Sequence, residues 1–176
     1  FLGKQTVLCK DTPAFIANRI GVFSIMLLFK IVEEMDFTVT EVDRLTGPIL
    51  GRAKSATFRT CDVVGLDTLV KVAKGLKENA PNDERQDLFS IPGYIETMLE
   101  NNWLGSKTGQ GFYKKTKDKE GNTEILALNL KTLEYEKQSK GNFDTYEKAK
   151  QEDDLSKRIQ ILCGGKDKAG EFYRRF

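Results

Sequence analysis

The sequence predicts a mainly α fold with one small β-hairpin, and three observations carry that prediction. Apolar residues recur at helical spacing through residues 11–100. Glycine and proline punctuate the gaps between those runs. After Lys107 the period changes, and Glu120-Gly121-Asn122 divides two short segments as a hairpin turn does.

Taken in order, residues 1–10 contain Thr6-Val7-Leu8-Cys9, a strand or an extended connector. Asp11 to Met35 reads as the central helix, with Thr12 as N-cap and Pro13 at the first helical position. Apolar side chains occupy nearly every angular position from Phe15 to Phe29, the pattern of a helix buried on all sides. Asn18 is the exception there, a polar amide that needs partners if it is buried. The charge-free run Ile20–Phe29 falls short of the roughly 20 residues a bilayer requires.

Thr38 and Glu41 form a capping box for a second helix, which Gly47-Pro48 ends. Residues 51–54 are a loop, and Ser55–Val64 is a third helix broken by Gly65. Asp67 caps a fourth, with Leu69, Val70, Ala73 and Leu76 on its apolar face. A polar connector, 79–85, precedes a helix that starts at Ile91-Pro92 and ends near Asn101-Asn102. The hairpin pairs 111–117 with 123–129, and residues 139–142 are a linker. Helices follow over 143–151, 155–162 and from Lys168 onward.

Composition narrows the function classes. A hydrophobic share of 39% with 31% charged residues over 176 positions describes a folded soluble domain, not a disordered chain. The net charge of +2, with cations and anions interleaved and no basic face visible, argues against nucleic acid as a partner. The cysteines, Cys9, Cys61 and Cys163, are odd in number and far apart, which speaks for a reducing, cytoplasmic compartment and against a disulfide framework. With no histidine in the chain, the usual triads and most zinc sites are excluded, and no metal site is expected. The start, Phe1-Leu2-Gly3-Lys4, has no initiator Met and no signal pattern, and the expectation is a fragment of something longer.

Two features invite chemistry. Lys107-Thr108-Gly109-Gln110-Gly111 resembles a phosphate loop only in its glycines, because they lead into a strand and not a helix. The pairs Glu33-Glu34, Asp83-Glu84 and Asp153-Asp154 point in different directions on a helix and read as solvated faces. Asn18 admits two readings from the residues alone, a satisfied core amide or a polar group set at the mouth of a site.

A resemblance shifts that balance. Lys10-Asp-Thr-Pro-Ala-Phe-Ile-Ala-Asn-Arg19 resembles the Lys-Asp-Thr-Pro-Gly-Phe-Ile-x-Asn-Arg signature of the 3-hydroxyacyl-CoA dehydrogenases. Val63-Val-Gly-Leu-Asp-Thr68 and Lys107-Thr-Gly-Gln-Gly-Phe-Tyr113 are similar to two further motifs of that family, in the same order. Residues 51–60 and 167–173 look more like the long multifunctional members that act in fatty-acid β-oxidation. Ala14 stands where the family has glycine, and Ala53 where proline is common; alanine at 14 is expected to be tolerated, as the better helix former.

The resemblance implies the family's C-terminal helical domain over residues 1–137, with 138–176 as a linker and the start of a second helical repeat. It implies an acyl-CoA substrate, NAD held mainly by a dinucleotide-binding domain ahead of this chain, and a homodimer. Asn18 takes the position of the family's catalytic asparagine, and Lys107 that of a cofactor-contacting lysine. The family's histidine–glutamate pair and glycine fingerprint are not in this sequence, so the chain is expected to be inactive alone. The rival expectation is a non-catalytic helical dimerisation or interaction module.

Overall fold

The computed structural model describes Gly3 and residues 5–176, so Phe1, Leu2 and Lys4 of the start lie outside it. Among the described residues it contains eight α-helices and a three-stranded antiparallel sheet. The helices are α1 (Ala17–Met35), α2 (Val39–Thr46), α3 (Phe58–Val64), α4 (Leu66–Asn79), α5 (Gly93–Glu100), α6 (Asp144–Ala149), α7 (Leu155–Gly164) and α8 (Lys168–Arg175). The strands are β1 (Tyr113–Lys117), β2 (Thr123–Leu128) and β3 (Tyr135–Glu136). Residues 5–10 form no strand, and Val7 and Leu8 are exposed.

The central helix starts later than its sequence suggests. Thr12 to Phe15 close a turn, with the Phe15 N–H on the Thr12 carbonyl at 3.0 Å, and neither Thr12 nor Pro13 caps α1. Ala14 and Phe15 both lie in the left-handed region, at φ 61° and 51°. Alanine at 14 therefore does not sit in a helix, and its helix propensity is irrelevant. The glycine that the resembling motif carries there fits this conformation without steric cost.

Nor is α1 buried all round. Its second half is the centre of the fold, with Met26, Leu28, Phe29, Ile31 and Val32 buried. Its first turns are open, with Ile20 64% exposed, as is Phe15 in the turn before it, at 57%. Asp36 ends the helix in a left-handed conformation.

Phe29 anchors an aromatic knot. It stacks on Phe58 at 5.8 Å and meets Phe112 at 5.9 Å and Tyr94 at 6.1 Å, while Phe58 and Phe112 lie 4.5 Å apart. Three other stretches of the chain thus meet on the one buried ring of Phe29. Such pairs contribute roughly 0.5–1.5 kcal/mol each beyond their buried area.

The Thr38–Glu41 capping box of α2 forms as expected. The third helix starts at Phe58 and not Ser55, because its cap is not local. Asp43 of α2 accepts the N–H groups of Thr57, Phe58 and Arg59, at 3.1, 2.6 and 3.1 Å. A carboxylate from a neighbouring helix thus takes the orphan donors of the first turn of α3. The fourth helix begins directly after Gly65, whose φ of 95° turns the chain, so Asp67 lies in its first turn instead of capping it.

The connector at 79–85 leads into a 3₁₀ turn, 86–89, that buries Leu88 and Phe89. The hairpin register runs from Tyr113↔Ala127 to Lys117↔Thr123. Pairing of β3 with β2, through Leu128↔Tyr135, is too short to announce itself by alternation.

Residues 143–176 pack on the first helices. Phe172 meets Phe37 at 5.4 Å, the Tyr173 hydroxyl donates to the Leu45 carbonyl at 2.8 Å, and Arg44 pairs with Glu147. Asp167 caps α8 and also accepts the Thr145 N–H at 2.9 Å, tying α6 to α8.

Two variants test this account. Asp43→Ala strands three backbone donors and the Tyr113 hydroxyl that also rests on it; urea denaturation should show a loss of about 2–4 kcal/mol. Ala14→Gly should raise stability by up to about 1 kcal/mol, whereas a helical position would lose that much.

Candidate functional site

The second and third motifs fold against one another. Leu66 donates its N–H to the Leu104 carbonyl at 3.0 Å, locking the start of α4 to the strand of chain ahead of Lys107. Ser106 to Thr108 form a 3₁₀ turn closed by Gly109 at φ 73°, after which the chain enters β1. The glycine loop is thus a turn into a strand, as its spacing predicts.

Asp62 of α3 explains why two of the neighbouring positions are glycine. Its carboxylate accepts the Phe112 and Tyr113 N–H groups at 2.8 and 2.9 Å. A Cβ at Gly105 would run into the Asp62 backbone, and one at Gly111 into its carboxylate. Tyr113 in turn donates its hydroxyl to Asp43 at 2.8 Å. Burial pushes the Asp62 carboxyl up to about 6, against the pull of its two N–H donors. Burial likewise raises Asp43, despite three N–H donors and the Tyr113 hydroxyl.

Neither aspartate was apparent from the sequence as a special residue. The available signal was a charged residue at 62 among the apolar neighbours Cys61, Val63 and Val64, where a helix interior tolerates a carboxylate only with partners. The adjacent acidic pairs are mainly solvated, as read, although Asp83 meets Arg19 and Asp154 caps α7.

Of the two expected site residues, Lys107 lies in the turn beside α4 and pairs with Asp67, the aspartate of the second motif. This ammonium lowers the Asp67 carboxyl below its usual range, chiefly by the hydrogen bond. Both side chains are about half exposed, so the pair is worth little to stability. Asn18 sits in the first turn of α1 and is exposed, which removes the core-amide reading. Its neighbour Arg19 reaches Asp83 and pins the start of α1 to the 79–85 connector. Among the described residues no hydrogen bond joins Asn18 to Lys107.

A cleft of about 490 Å³ opens between α3, the 105–109 turn and the hairpin, walled by Val63 and Ile125, with Ser55, Arg59, Asp62, Ser106 and Lys115 as its polar and charged groups. Neither Asn18 nor Lys107 lines it. Among the described residues, no group of three or more metal-ligating side chains converges, and no helix is long and apolar enough to cross a membrane.

The fold is a helical domain with a small antiparallel sheet, in which the second and third motifs pack against one another. The family model for the 3-hydroxyacyl-CoA dehydrogenase C-terminal domain matches residues 15–115, and the chain belongs to that family. A probable 3-hydroxyacyl-CoA dehydrogenase of Bacillus subtilis is 46% identical over 96% of the chain, and one of Deinococcus radiodurans is 48% identical over 66%. The crystal structure of M. tuberculosis FadB2 superimposes with a TM-score of 0.53 at 32% identity, covering 65% of this chain and 38% of that one. The chain spans 21% of the length of the first relative and 33% of the second.

The raised Asp62 carboxyl has a stability signature. A carboxyl that holds its proton more tightly in the fold than in the unfolded chain stabilises the fold when protonated, and this contribution is lost as pH rises from about 4 through about 6. The stability of the wild type relative to Asp62→Asn should therefore fall across that window and level off above it, as read from urea midpoints at pH 4, 5, 6 and 7.

Proposed function

We propose that this chain is the helical, substrate-side and dimerisation domain of an NAD-dependent 3-hydroxyacyl-CoA dehydrogenase of fatty-acid β-oxidation. The observation that carries the reading is an exposed Asn18, held in the first turn of α1 within the matched residues 15–115 and facing away from the core. Among the described residues no side-chain hydrogen bond engages this amide, which leaves it available to a group brought by another unit. In this reading the Asn18 amide donates to the reacting oxygen of an acyl-CoA or orients the base that removes its proton. Lys107 offers one half-exposed ammonium to a phosphate or ribose of NAD, in exchange for Asp67. A single such cation is a supplementary contact, and the dinucleotide is held mainly by a domain outside this chain. When bound, NAD supplies the hydride acceptor.

The exposed apolar side chains Phe15, Ile16 and Ile20 provide surface for the dinucleotide-binding domain or for a second copy of the chain. A division near residue 137, with the later helices as the opening of a second helical repeat, belongs to the same proposal. So does a reducing, cytoplasmic setting, supported by the unpaired Cys9, Cys61 and Cys163.

The decisive experiment uses the longer natural protein and follows NADH oxidation with acetoacetyl-CoA. Asn18→Ala should lower kcat by roughly a hundredfold or more with folding intact. Undiminished turnover would make Asn18 part of a scaffold, and no turnover in either protein would overturn the activity itself. The chain on its own should be inactive.

A further inference from the structure

Five cations converge on one cleft that the dehydrogenase reading does not use. Arg44, Lys54, Arg59, Lys140 and Lys150 line a cavity of about 480 Å³ between α2, the loop before α3, β1, the 139–142 connector and α6. They come from five separate stretches of a chain whose net charge is only +2. The sequence shows no basic face because the fold assembles this one.

The nearby acids are engaged. Asp43 at the floor of the cleft already accepts three N–H groups and the Tyr113 hydroxyl. Glu147 pairs with Arg44, and Glu41 closes the capping box of α2. Among the described residues, Lys54, Lys140 and Lys150 form no ion pair. The two guanidinium groups are held in place: Arg44 lies over the Tyr146 ring at 4.4 Å, and Arg59 over Tyr113 at 4.2 Å. Two guanidinium groups on aromatic platforms, one of them paired with Glu147, thus stand beside three lysines that have no ion pair among the described residues, and the cations of the cleft outnumber its carboxylates.

We infer that this cleft binds a small molecule carrying two or more phosphate groups, of the nucleoside-diphosphate class. The volume lies in the range of small-ligand sites and is too small for a duplex or a folded partner. The arginines give geometry to a phosphate and the lysines give charge. Three of the lining residues, Lys140, Tyr146 and Lys150, lie beyond the family-matched segment, which ends at 115. The site thus depends on the docked tail and not on the helical domain alone. It stands independently of the dehydrogenase reading, since it needs neither Asn18 nor Lys107.

Calorimetric titration of the chain with ADP and with pyrophosphate at low ionic strength tests it. Saturable binding of one ligand per chain is expected, weakening as salt is raised. Lys54→Ala with Lys150→Ala should weaken it roughly tenfold or more, and Lys140→Glu similarly, with unchanged circular dichroism. Lys71→Ala with Lys119→Ala, which do not line the cleft, should leave it unaltered. Tighter binding of ADP than of pyrophosphate identifies a nucleotide as the source, and equal binding a free phosphate. No saturable binding of either probe, an equal loss from the Lys71 and Lys119 variant, or binding of heparin alone overturns the inference.

Discussion

The fold depends on two carboxylates, Asp62 buried and Asp43 half-buried, that act on backbone donors instead of on cations. Asp43 takes the first-turn N–H groups of α3, and Asp62, inside that same helix, takes the N–H groups of Phe112 and Tyr113. Tyr113 closes the loop by donating its hydroxyl back to Asp43. A short helix of 7 residues, too short to be stable alone, is thus fastened to α2 at one end and to the hairpin at the other. The Phe58–Phe112 pair, with its rings 4.5 Å apart, joins the same two elements as this fastening. The cost is two aspartates whose burial works against their charge, offset by donors that would otherwise be stranded.

Much of the architecture was legible in the sequence where the signal is local. The Thr38–Glu41 box, the break at Gly65, the end at Asn101-Asn102 and the hairpin turn all rest on side chains within a few residues of the backbone they govern. The errors fall where the deciding partner is distant. The third helix starts at Phe58 because of an aspartate at 43, and α1 starts at Ala17 because residues 12–15 turn instead of coiling. The third strand, two residues long, is fixed by pairing with β2 and by no pattern of its own.

The candidate site divides in the same way. The motif residues could be named from their order along the chain, but the exposure of Asn18 could not, since an apolar run on both sides reads as a buried helix. The run is apolar nearly all round, yet only its second half is buried within this chain, which spans 21% and 33% of the length of two relatives. The pairing of Lys107 with Asp67 brings together two motifs 40 positions apart, and such a contact has no periodic trace.

The apolar-walled cleft and the basic cleft share two lining residues. Arg59 and Tyr113 line both the cavity walled by Val63 and Ile125 and the basic cavity on the other side. The guanidinium lies on the ring at 4.2 Å, so neither can shift without changing the shape of both spaces. A ligand that shifts this pair from one side reshapes the space on the other, and linkage makes any change of affinity that results reciprocal. The hydroxyl that Tyr113 gives to Asp43 anchors the ring of this pair on the side of the basic cavity.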